Sequence, residues 1–498
     1  MDNVVTYNHI EVMPYNLIRL QDIKIVKKVN DHARLSFTGI IEEERKDHYI
    51  KASDDETQVK VFITDNAGKR EPIFRGIALD VEVKIVNGIH YITVEAVSHT
   101  YQLDVKRRSR SFQNPKLTYK ELIQSIVSQY DKADTMDVVT SGKEIGTFIM
   151  QYDETDWQFL KRLASHFYSP LIPAIGYGVP KFYFGMPMGL SKGEIPASNY
   201  KVTKRVADYQ TASDNRIPGI QEYDFIQYEV ESMKVLEPGY EVVFKGKTLL
   251  VSEAVMEMIN GVLRNYYKLS PRSGLRPIKM YNHSIIGASI QGRVLSVYRD
   301  KVRVQLQMDD QQDPSSDFWF PYSTIYASED NTGWYCMPEK NDSVRIYFPS
   351  CKEEEGYAMS SIKRQVPKSE ASKSTAQSST SSSSATVPSA AKESSNSEED
   401  VMFDPATKTL YTKYGKKIKL APDHIEISSQ DMSIILHDRS GIHIVSSKNI
   451  NINAADQISL RSNKDINLTA DKIELSGNGN SITLDDKTIF SGTEIKMN

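Results

Sequence analysis

The sequence predicts a mainly β chain of several domains that ends in a β-helical needle shared by three copies of the chain. A length of 498 residues is enough for three or four domains. Hairpin signals recur in the first part of the chain, before residue 366. After residue 400, a short apolar–polar–apolar triplet repeats up to the last residues. These three observations lead to the prediction, and the elements follow in chain order.

Charge and cysteine content exclude several classes of protein. The 61 Lys+Arg and 65 Asp+Glu give a net charge of −4, which argues against a generic polyanion binder. Two cysteines cannot support a disulfide scaffold, so both are expected to be reduced thiols. No apolar run approaches the ~20 residues that span a bilayer. The first residues show no basic segment followed by an apolar one, so we expect cytoplasmic assembly without a Sec signal.

Two β-hairpins are predicted around Asn-Gly pairs. Alternating apolar residues flank Asn87-Gly88 and Asn260-Gly261, and Asn-Gly supplies the positive φ angles of a type I′ turn. Residues 255–259, just before the second turn, also fit a helix.

The surroundings of the two hairpins indicate an internal duplication. The string FRGIAL at residues 74–79 precedes the first hairpin, and FKGKTL at residues 244–249 precedes the second. We interpret the pair as a weak repeat of one β-barrel unit, with coincidence as the alternative.

Two amphipathic helices are predicted between the hairpins, each with a capping box. Thr118 with Glu121 would cap the first helix, and Thr155 with Gln158 the second. Apolar residues at i, i+3 and i+4 spacing form the stripes Tyr119, Leu122, Ile123, Ile126, Val127 and Tyr130, then Trp157, Leu160, Leu163, Ala164 and Phe167. We expect both stripes to be core rather than cofactor sites.

Residues 366–399 are predicted to be a flexible linker. Thirteen of these 34 residues are Ser, and none is aromatic. Such a segment cannot bury enough apolar surface to offset its ordering entropy, and as a coil it would span roughly 30–35 Å.

The C-terminal repeat is the most informative feature. Its triplets begin at Ile418, and their first residues recur every eight residues from Ile434 through Ile466. Each triplet places two apolar side chains on one face of a short strand. Eight residues form only one side of a triangular prism, so three chains would be needed to close it around an apolar axis. The predicted core is Ile425, Ile427, Ile434, Ile442, Ile444, Ile450, Ile452, Ile458, Leu460, Ile466, Leu468, Ile473, Leu475, Ile482 and Leu484.

Ten stacked rungs would make a needle roughly 45–50 Å long. The alternative is an ordinary antiparallel sandwich of short strands, which explains the alternation but not the strict eight-residue period.

Four strings resemble the spike proteins of contractile injection systems, that is, the VgrG proteins of type VI secretion and the hub and spike proteins of contractile phage tails. The first three are SHTYQLDVKRRSRSFQN at residues 98–114, QYDETDWQFLKRLASHF at 151–167 and GRVLSVYRDKVRVQL at 292–306. The fourth, FWFPYSTIYASEDNTGWYCMPEKNDSVRIYF at 318–348, has Asn341 where the family usually has Gly. The order of these four strings, followed by the eight-residue repeat, is the signal that is specific for this family.

The resemblance implies a division into hub, collar and needle. Residues 1–280 would be an α+β hub with two related β-barrels, 285–365 an OB-fold collar, 366–399 the linker and 400–498 the needle. It also implies a homotrimer that seats a hexameric tail tube and baseplate proteins on the needle, with two barrels per chain giving a pseudo-sixfold ring. The long Ser-rich linker departs from the family pattern.

No catalytic, metal or cofactor site is expected. Gly246-Lys247-Thr248 lacks the first Gly of a P-loop. His443 has the outward parity of its rung, and His424 and His437 stand alone beside apolar neighbours. The OB-like segment carries 9 Lys/Arg against 12 Asp/Glu, which argues against nucleic acid as a partner.

The predicted function is a non-enzymatic spike that pierces a target-cell envelope. The apolar end at Ile495 and Met497 suggests a separate PAAR-type tip protein, and effector cargo is a further expected partner. The protein would assemble in a bacterial cytoplasm and then be expelled, or form part of a virion tail. Two alternatives are a phage tailspike enzyme that degrades polysaccharide or peptidoglycan, and a secreted adhesin. Whether the machine is type VI-like, a tailocin, an extracellular device or a phage stays open.

Overall fold

The computed structural model describes residues 4–54, 57–64, 68–196, 199–309, 318–323, 337–359, 408–412, 415–477 and 479–484. The chain forms two compact units, Met1–Ala371 and Ser372–Asn498. The predicted linker, residues 366–399, lies outside the described residues. Strands dominate both units, so the mainly β prediction is confirmed.

Six strands and a short helix form the first β domain. They are β1 Ile10–Met13, β2 Arg19–Lys28, β3 Arg34–Ile41, α1 Lys46–Ala52, β4 Gln58–Thr64, β5 Arg70–Val86 and β6 Ile89–Ser98. Apolar residues alternate along these strands, so one face packs into a core around Phe37 and Phe74. Asn87 and Gly88 have φ angles of 49° and 77°, which confirms the predicted turn between β5 and β6.

A domain with two helices follows. Its elements are β7 Arg107–Phe112, α2 Tyr119–Val127, β8 Asp134–Asp137, β9 Ile149–Thr155, α3 Asp156–Ser165, β10 Leu171–Pro173 and β11 Lys181–Phe184. Both predicted caps are confirmed, because Thr118 accepts a hydrogen bond from the Glu121 amide and Thr155 from the Gln158 amide. The apolar stripes of α2 and α3 belong to one core. No helix in the described ranges has the length and hydrophobicity needed to cross a membrane.

The second β domain again has six strands. Its elements are β12 Ser191–Glu194, β13 Tyr200–Lys204, α4 Val206–Asp214, β14 Ile226–Glu231, β15 Glu241–Phe244, β16 Lys247–Ile259 and β17 Val262–Ser270. Asn260 and Gly261 have φ angles of 51° and 81°, as predicted for the second hairpin. Residues 255–259 belong to β16, so the helical alternative is wrong. Tyr267 lies at the centre of a separate core.

The two β domains repeat one pairing order, which supports the predicted duplication. Neighbouring strands follow the order β1-β4-β5-β6-β3-β2 in the first domain and β12-β15-β16-β17-β14-β13 in the second. β1 runs antiparallel to β4, whereas β12 runs parallel to β15. β2 also pairs with β16, which joins both domains into one twelve-stranded sheet.

The strings that suggested the duplication are not equivalent in the structure. Residues 74–79 lie inside β5, where a side chain on Gly76 would meet the Val97 carbonyl oxygen. Residues 244–249 instead run from the end of β15 into β16, with Lys245 and Gly246 at the turn between them, at φ 52° and 73°. The string match was therefore wrong as evidence, because a shared F-basic-G run does not fix a backbone conformation.

The predicted OB-like segment forms a third β domain. Its strands are β18 Ser289–Tyr298, β19 Lys301–Leu306, β20 Phe320–Pro321, β21 Ser343–Tyr347 and β22 Tyr357–Met359, in the order β20-β19-β18-β21-β22. All named pairs are antiparallel. Phe148 and Met150, from the domain with two helices, are fully buried in this core. The domain with two helices and the OB-like domain therefore share one apolar core.

The C-terminal unit begins with an antiparallel sheet of five consecutive strands. They are β23 Lys408–Tyr411, β24 Lys416–Leu420, β25 His424–Ser429, β26 Met432–His437 and β27 Gly441–Ser446. Residues 447–472 belong to no strand, and β28 Ile473–Gly477 and β29 Asn480–Leu484 form a hairpin. The sequence predicted one uniform series of rungs. Instead, the rungs at Ile434 and Ile442 pair with each other inside the chain.

Candidate functional site

Among the predicted core residues of the C-terminal unit, those on β25, β26 and β27 lie on one face of their sheet, and most of the whole set is open to solvent. Ile427 lies opposite Ile434, which in turn lies opposite Ile444, so their side chains share a face. Exposures of 41% to 71% apply to Ile425, Ile427, Ile434, Ile442, Ile444, Ile450, Ile452, Ile458, Leu460, Ile466, Leu468 and Leu475. We call these twelve side chains the apolar stripe.

Three further predicted core residues lie on β28 and β29. Ile473 is half-buried, and Ile482 and Leu484 lie on β29. The proposed tip contacts, Ile495 and Met497, lie outside the described residues.

Residues 447–472 carry half of the apolar stripe on a backbone that has no strand partner among the described residues. The stripe members here form three Ile-x-Ile/Leu triplets that begin at Ile450, Ile458 and Ile466. A backbone outside helices and strands has N–H and C=O groups that a ladder with another chain could use. The segment thus combines a backbone outside regular secondary structure with exposed apolar side chains.

A second cluster surrounds Asp156, the first residue of α3, which is fully buried. Arg110 Nη2 and Gln151 Nε2 donate to its Oδ1 at 2.6 and 2.9 Å, and the Tyr130 hydroxyl donates to its Oδ2 at 2.6 Å. Arg108 Nε lies 3.3 Å from Oδ2. Burial, with Asp156 nearby, raises the pKa of Tyr130 to about 12. The carboxylate therefore holds β7, β9 and the chain after α2 against α3.

A third cluster connects α3 to the OB-like domain, and we call it the joint network. Arg162 Nη2 donates to Glu154 Oε2 at 2.8 Å and to the Met150 carbonyl oxygen at 2.7 Å, while its Nη1 donates to Glu353 Oε1 at 2.9 Å. The Met150 amide also donates to Glu353 Oε1, at 3.4 Å. Arg162 and Glu353 are both buried, although they lie 191 positions apart in the sequence.

The charges of the joint network are uneven, with one guanidinium between two carboxylates. Burial raises the pKa of Glu353, and the neighbouring Arg162 opposes that shift. Burial alone would lower the pKa of Arg162, but Glu353 and Glu154 raise it overall. The network is thus a buried electrostatic contact between two domains.

One arrangement looks like a hydrolase triad but is closed to substrate. His32 Nδ1 lies 2.9 Å from Thr100 Oγ1, and His32 Nε2 lies 3.2 Å from Asp104 Oδ2. His32 and Thr100 are 4% and 2% exposed, and Trp157 covers the imidazole at 4.7 Å between ring centroids. Asp104 also accepts a hydrogen bond from the Thr155 hydroxyl. A nucleophile needs access to substrate, so this group serves packing.

Sequence reasoning missed the Asp156 cluster and the joint network. Both include residues of the string at 151–167, and the available signal was Arg162, a charge between Phe159 and Leu163 on the apolar face of α3. It predicts a buried partner without saying which one. The histidines also differ from expectation: His424 lies directly opposite His437, with ring centroids 6.1 Å apart, and Asp423 contacts His424 Nδ1 at 2.7 Å.

Comparisons with known families match two parts of the chain. The model described as phage tail baseplate hub matches residues 56–166, which include the Asp156 cluster and Arg162. The model described as type VI secretion system/phage-baseplate injector OB domain matches residues 290–362, which include Glu353. The joint network therefore connects the two matched domains. No curated protein matches the sequence.

Solved structures share the fold at low sequence identity. An E. coli type VI secretion component, c3393, described as structurally similar to the phage T4 tail proteins gp27 and gp5, is 14% identical, with 71% of this chain and 99% of that chain covered and a TM-score of 0.51. A Francisella PdpA–VgrG complex in its half-lidded form is 11% identical, with 89% and 87% covered and a TM-score of 0.52. Together with the two family matches, these findings show that the chain has the fold of VgrG and phage tail proteins, with a segment similar to baseplate hubs at residues 56–166 and one similar to injector OB domains at residues 290–362.

Proposed function

We propose that the chain acts as a non-enzymatic homotrimer at the tip of a tail tube. Residues 1–280 would form the hub, 285–365 the OB collar, 366–399 a tether and 400–498 a triple-stranded β-helical needle. Contraction of the surrounding sheath would drive the tube outward, and the needle would transmit that force to the target envelope.

The apolar stripe carries this proposal. In the first unit, the Ile and Leu side chains of the strand cores are nearly all buried. In the C-terminal unit, the apolar stripe is exposed in β25–β27, in residues 447–472 and in β28. Large contiguous apolar surfaces on soluble proteins mark interaction sites. Three copies would turn three stripes toward one axis, and each fully buried Ile contributes about 1.5–3 kcal/mol.

The proposed partners follow from the two ends of such a spike. The hub would contact the hexameric tail tube and baseplate proteins. A PAAR-type tip protein would bind at Ile495 and Met497, and effector cargo would travel with the spike. The Francisella VgrG was solved in complex with PdpA, which supports a partner-carrying role here. The acidic balance of the collar argues against nucleic acid.

The first test is the mass of the full chain in solution. We expect light scattering and native mass spectrometry to give three times the 56.4 kDa chain mass at micromolar concentration. A monomer or a dimer would contradict the proposal. Turnover of polysaccharide or peptidoglycan by the purified trimer would contradict the non-enzymatic part alone.

A further inference from the structure

Three nitrogen-bearing side chains lie in one row across the first β domain. Lys60 of β4 lies directly opposite Arg75 of β5. On the other side of β5, Ser98 lies opposite Gly76, so the next residue, His99, comes beside Arg75 where this ladder ends. The row therefore brings an ammonium, a guanidinium and an imidazole together, and we call these three side chains the donor row.

The two cations of the donor row lack a counter-charge among the described residues. No carboxylate oxygen in that part of the chain lies within 4.0 Å of the Lys60 ammonium or the Arg75 guanidinium. Glu11, on the adjacent strand β1, is already paired with Arg70 at 2.5 Å. Like charges directly opposite each other on antiparallel strands are destabilising. Within the described ranges, the fold thus leaves this pair of positive charges uncompensated.

His99 adds a buried nitrogen without a partner. The residue is 5% exposed, and its Nε2 has no hydrogen-bond partner among the described residues. Burial, together with the nearby charges of Lys60 and Arg75, lowers the pKa of His99, so the imidazole is mainly neutral at pH 7 and carries one N–H to donate. An unpartnered buried polar atom is unusual in folded proteins, and an ion or water that binds there is one physical reason for it.

We propose that the donor row binds a dianionic oxyanion of the phosphate type. The Arg75 guanidinium offers paired N–H groups that match two oxygens of such an anion, the Lys60 ammonium supplies a second positive charge, and the His99 imidazole completes the site from its buried side. Two adjacent cations balance a dianion, whereas a single carboxylate would leave one of them uncompensated. Lys60 and Arg75 are half-buried, so solvent still reaches them and their attraction for an anion is stronger than on an open surface.

Thermal unfolding of the full chain measures this binding. Sodium phosphate should raise the melting temperature in a saturable way, because a ligand that binds only the folded state stabilises it by mass action. Sodium chloride at the same ionic strength is the reference and should give a smaller increase that does not saturate. An equal increase with chloride would overturn the proposal, since it would reflect screening of the two cations without a specific site.

Lys60→Met separates a ligand site from a structural cation. Without phosphate, the variant loses one of two like charges that face each other, so its melting temperature should equal or exceed that of the wild type. Its affinity for phosphate, measured by calorimetry, should fall at least about tenfold, because a charge-assisted hydrogen bond is lost. His99→Phe keeps a buried ring and removes an uncharged donor, so the expected loss is about two- to tenfold. A Lys60→Met protein that is less stable and binds phosphate as tightly as the wild type would contradict the proposal.

Arg70→Met is the matched control for Arg75→Met. Both guanidinium groups lie over the Phe62 ring, at 4.3 Å from its centroid for Arg70 and 6.0 Å for Arg75. Only Arg70 has a carboxylate partner, Glu11. The phosphate affinity should therefore fall in Arg75→Met and stay close to the wild-type value in Arg70→Met. Equal losses in the two variants would mean that the general positive charge of this face attracts phosphate, which would overturn the donor row as a site.

Two probes distinguish the source of the phosphate group. Free phosphate tests a soluble ligand, and phosphatidylcholine vesicles that contain phosphatidic acid, a phosphate monoester, test a lipid headgroup. Binding of either probe that is lost in Lys60→Met supports the site and identifies the source. A wild-type protein that binds neither probe would overturn the inference, and if that protein is a trimer by light scattering, the proposed function is unaffected.

Discussion

We expect Ile450→Asp to abolish the protease resistance of the C-terminal unit in the full chain. Ile450 begins the first triplet of the segment without strand partners, and it is 53% exposed in the single chain. In the proposed needle, its side chain meets two copies of itself on the axis. The substitution would remove three buried Ile side chains, each contributing about 1.5–3 kcal/mol. It would also bury three carboxylates that lack partners, at a cost of several kcal/mol per ion.

The neighbouring position provides the control. Asn451→Asp adds the same charge one residue later, on the face that points away from the proposed axis, and should leave the unit resistant. Limited proteolysis followed by mass spectrometry reports both variants: the wild type and Asn451→Asp should retain a trimeric C-terminal fragment, and Ile450→Asp should lose it. Equal resistance of the two variants would show that the apolar stripe does not line an axis.

The contrast between local and distant contacts explains what the sequence could predict. Asn87-Gly88 and Asn260-Gly261 formed the expected turns because a type I′ turn depends on two adjacent residues. The caps at Thr118 and Thr155 likewise need only three residues of spacing. In β25–β27, the period-two alternation agrees with the strand register, which places Ile427, Ile434 and Ile444 on one face. It could not tell that Ile434 lies opposite Ile444, and Leu436 opposite Ile442, inside one chain, because alternation does not name the partner strand.

Contacts between distant segments were out of reach for the same reason. The pairing order of the two β domains carries the duplication, while the short strings at 74–79 and 244–249 misplaced it by three residues relative to the hairpins. The joint network depends on Arg162 and Glu353, whose separation of 191 positions leaves no periodic trace. A charged residue on an apolar helix face indicated only that a partner exists.

Arg162→Met is the second change with a large expected effect, because it removes the only cation of the joint network. Glu154 and Glu353 would then lose their common partner while Glu353 stays buried beside the Met150 amide. Removing one partner of a buried ion pair typically costs about 3–5 kcal/mol. We expect a loss of unfolding free energy of that order in urea titrations followed by tryptophan fluorescence, since Trp157 lies on the same helix as Arg162.

Glu353→Gln is the matched change on the other side of the joint, and its expected cost is about 1 kcal/mol or less. The amide oxygen of Gln can still accept from Arg162 Nη1 and from the Met150 amide, so both hydrogen bonds remain. The substitution removes one of the two negative charges that share a single guanidinium. A loss as large as that of Arg162→Met would mean that the charge of Glu353 itself stabilises the joint.

The raised pKa of Glu353 predicts how the stabilities of the wild type and of Glu353→Gln differ with pH. Its usual value is 4.5, and burial raises it in the folded protein. Above pH 4.5 the unfolded chain releases this proton while the folded chain still holds it, so Glu353 lowers stability progressively as pH rises through the folded pKa. Glu353→Gln removes that contribution. We therefore expect its stability, measured relative to the wild type between pH 4.5 and neutrality, to increase with pH; a difference independent of pH would mean that Arg162 compensates the burial of the carboxylate completely.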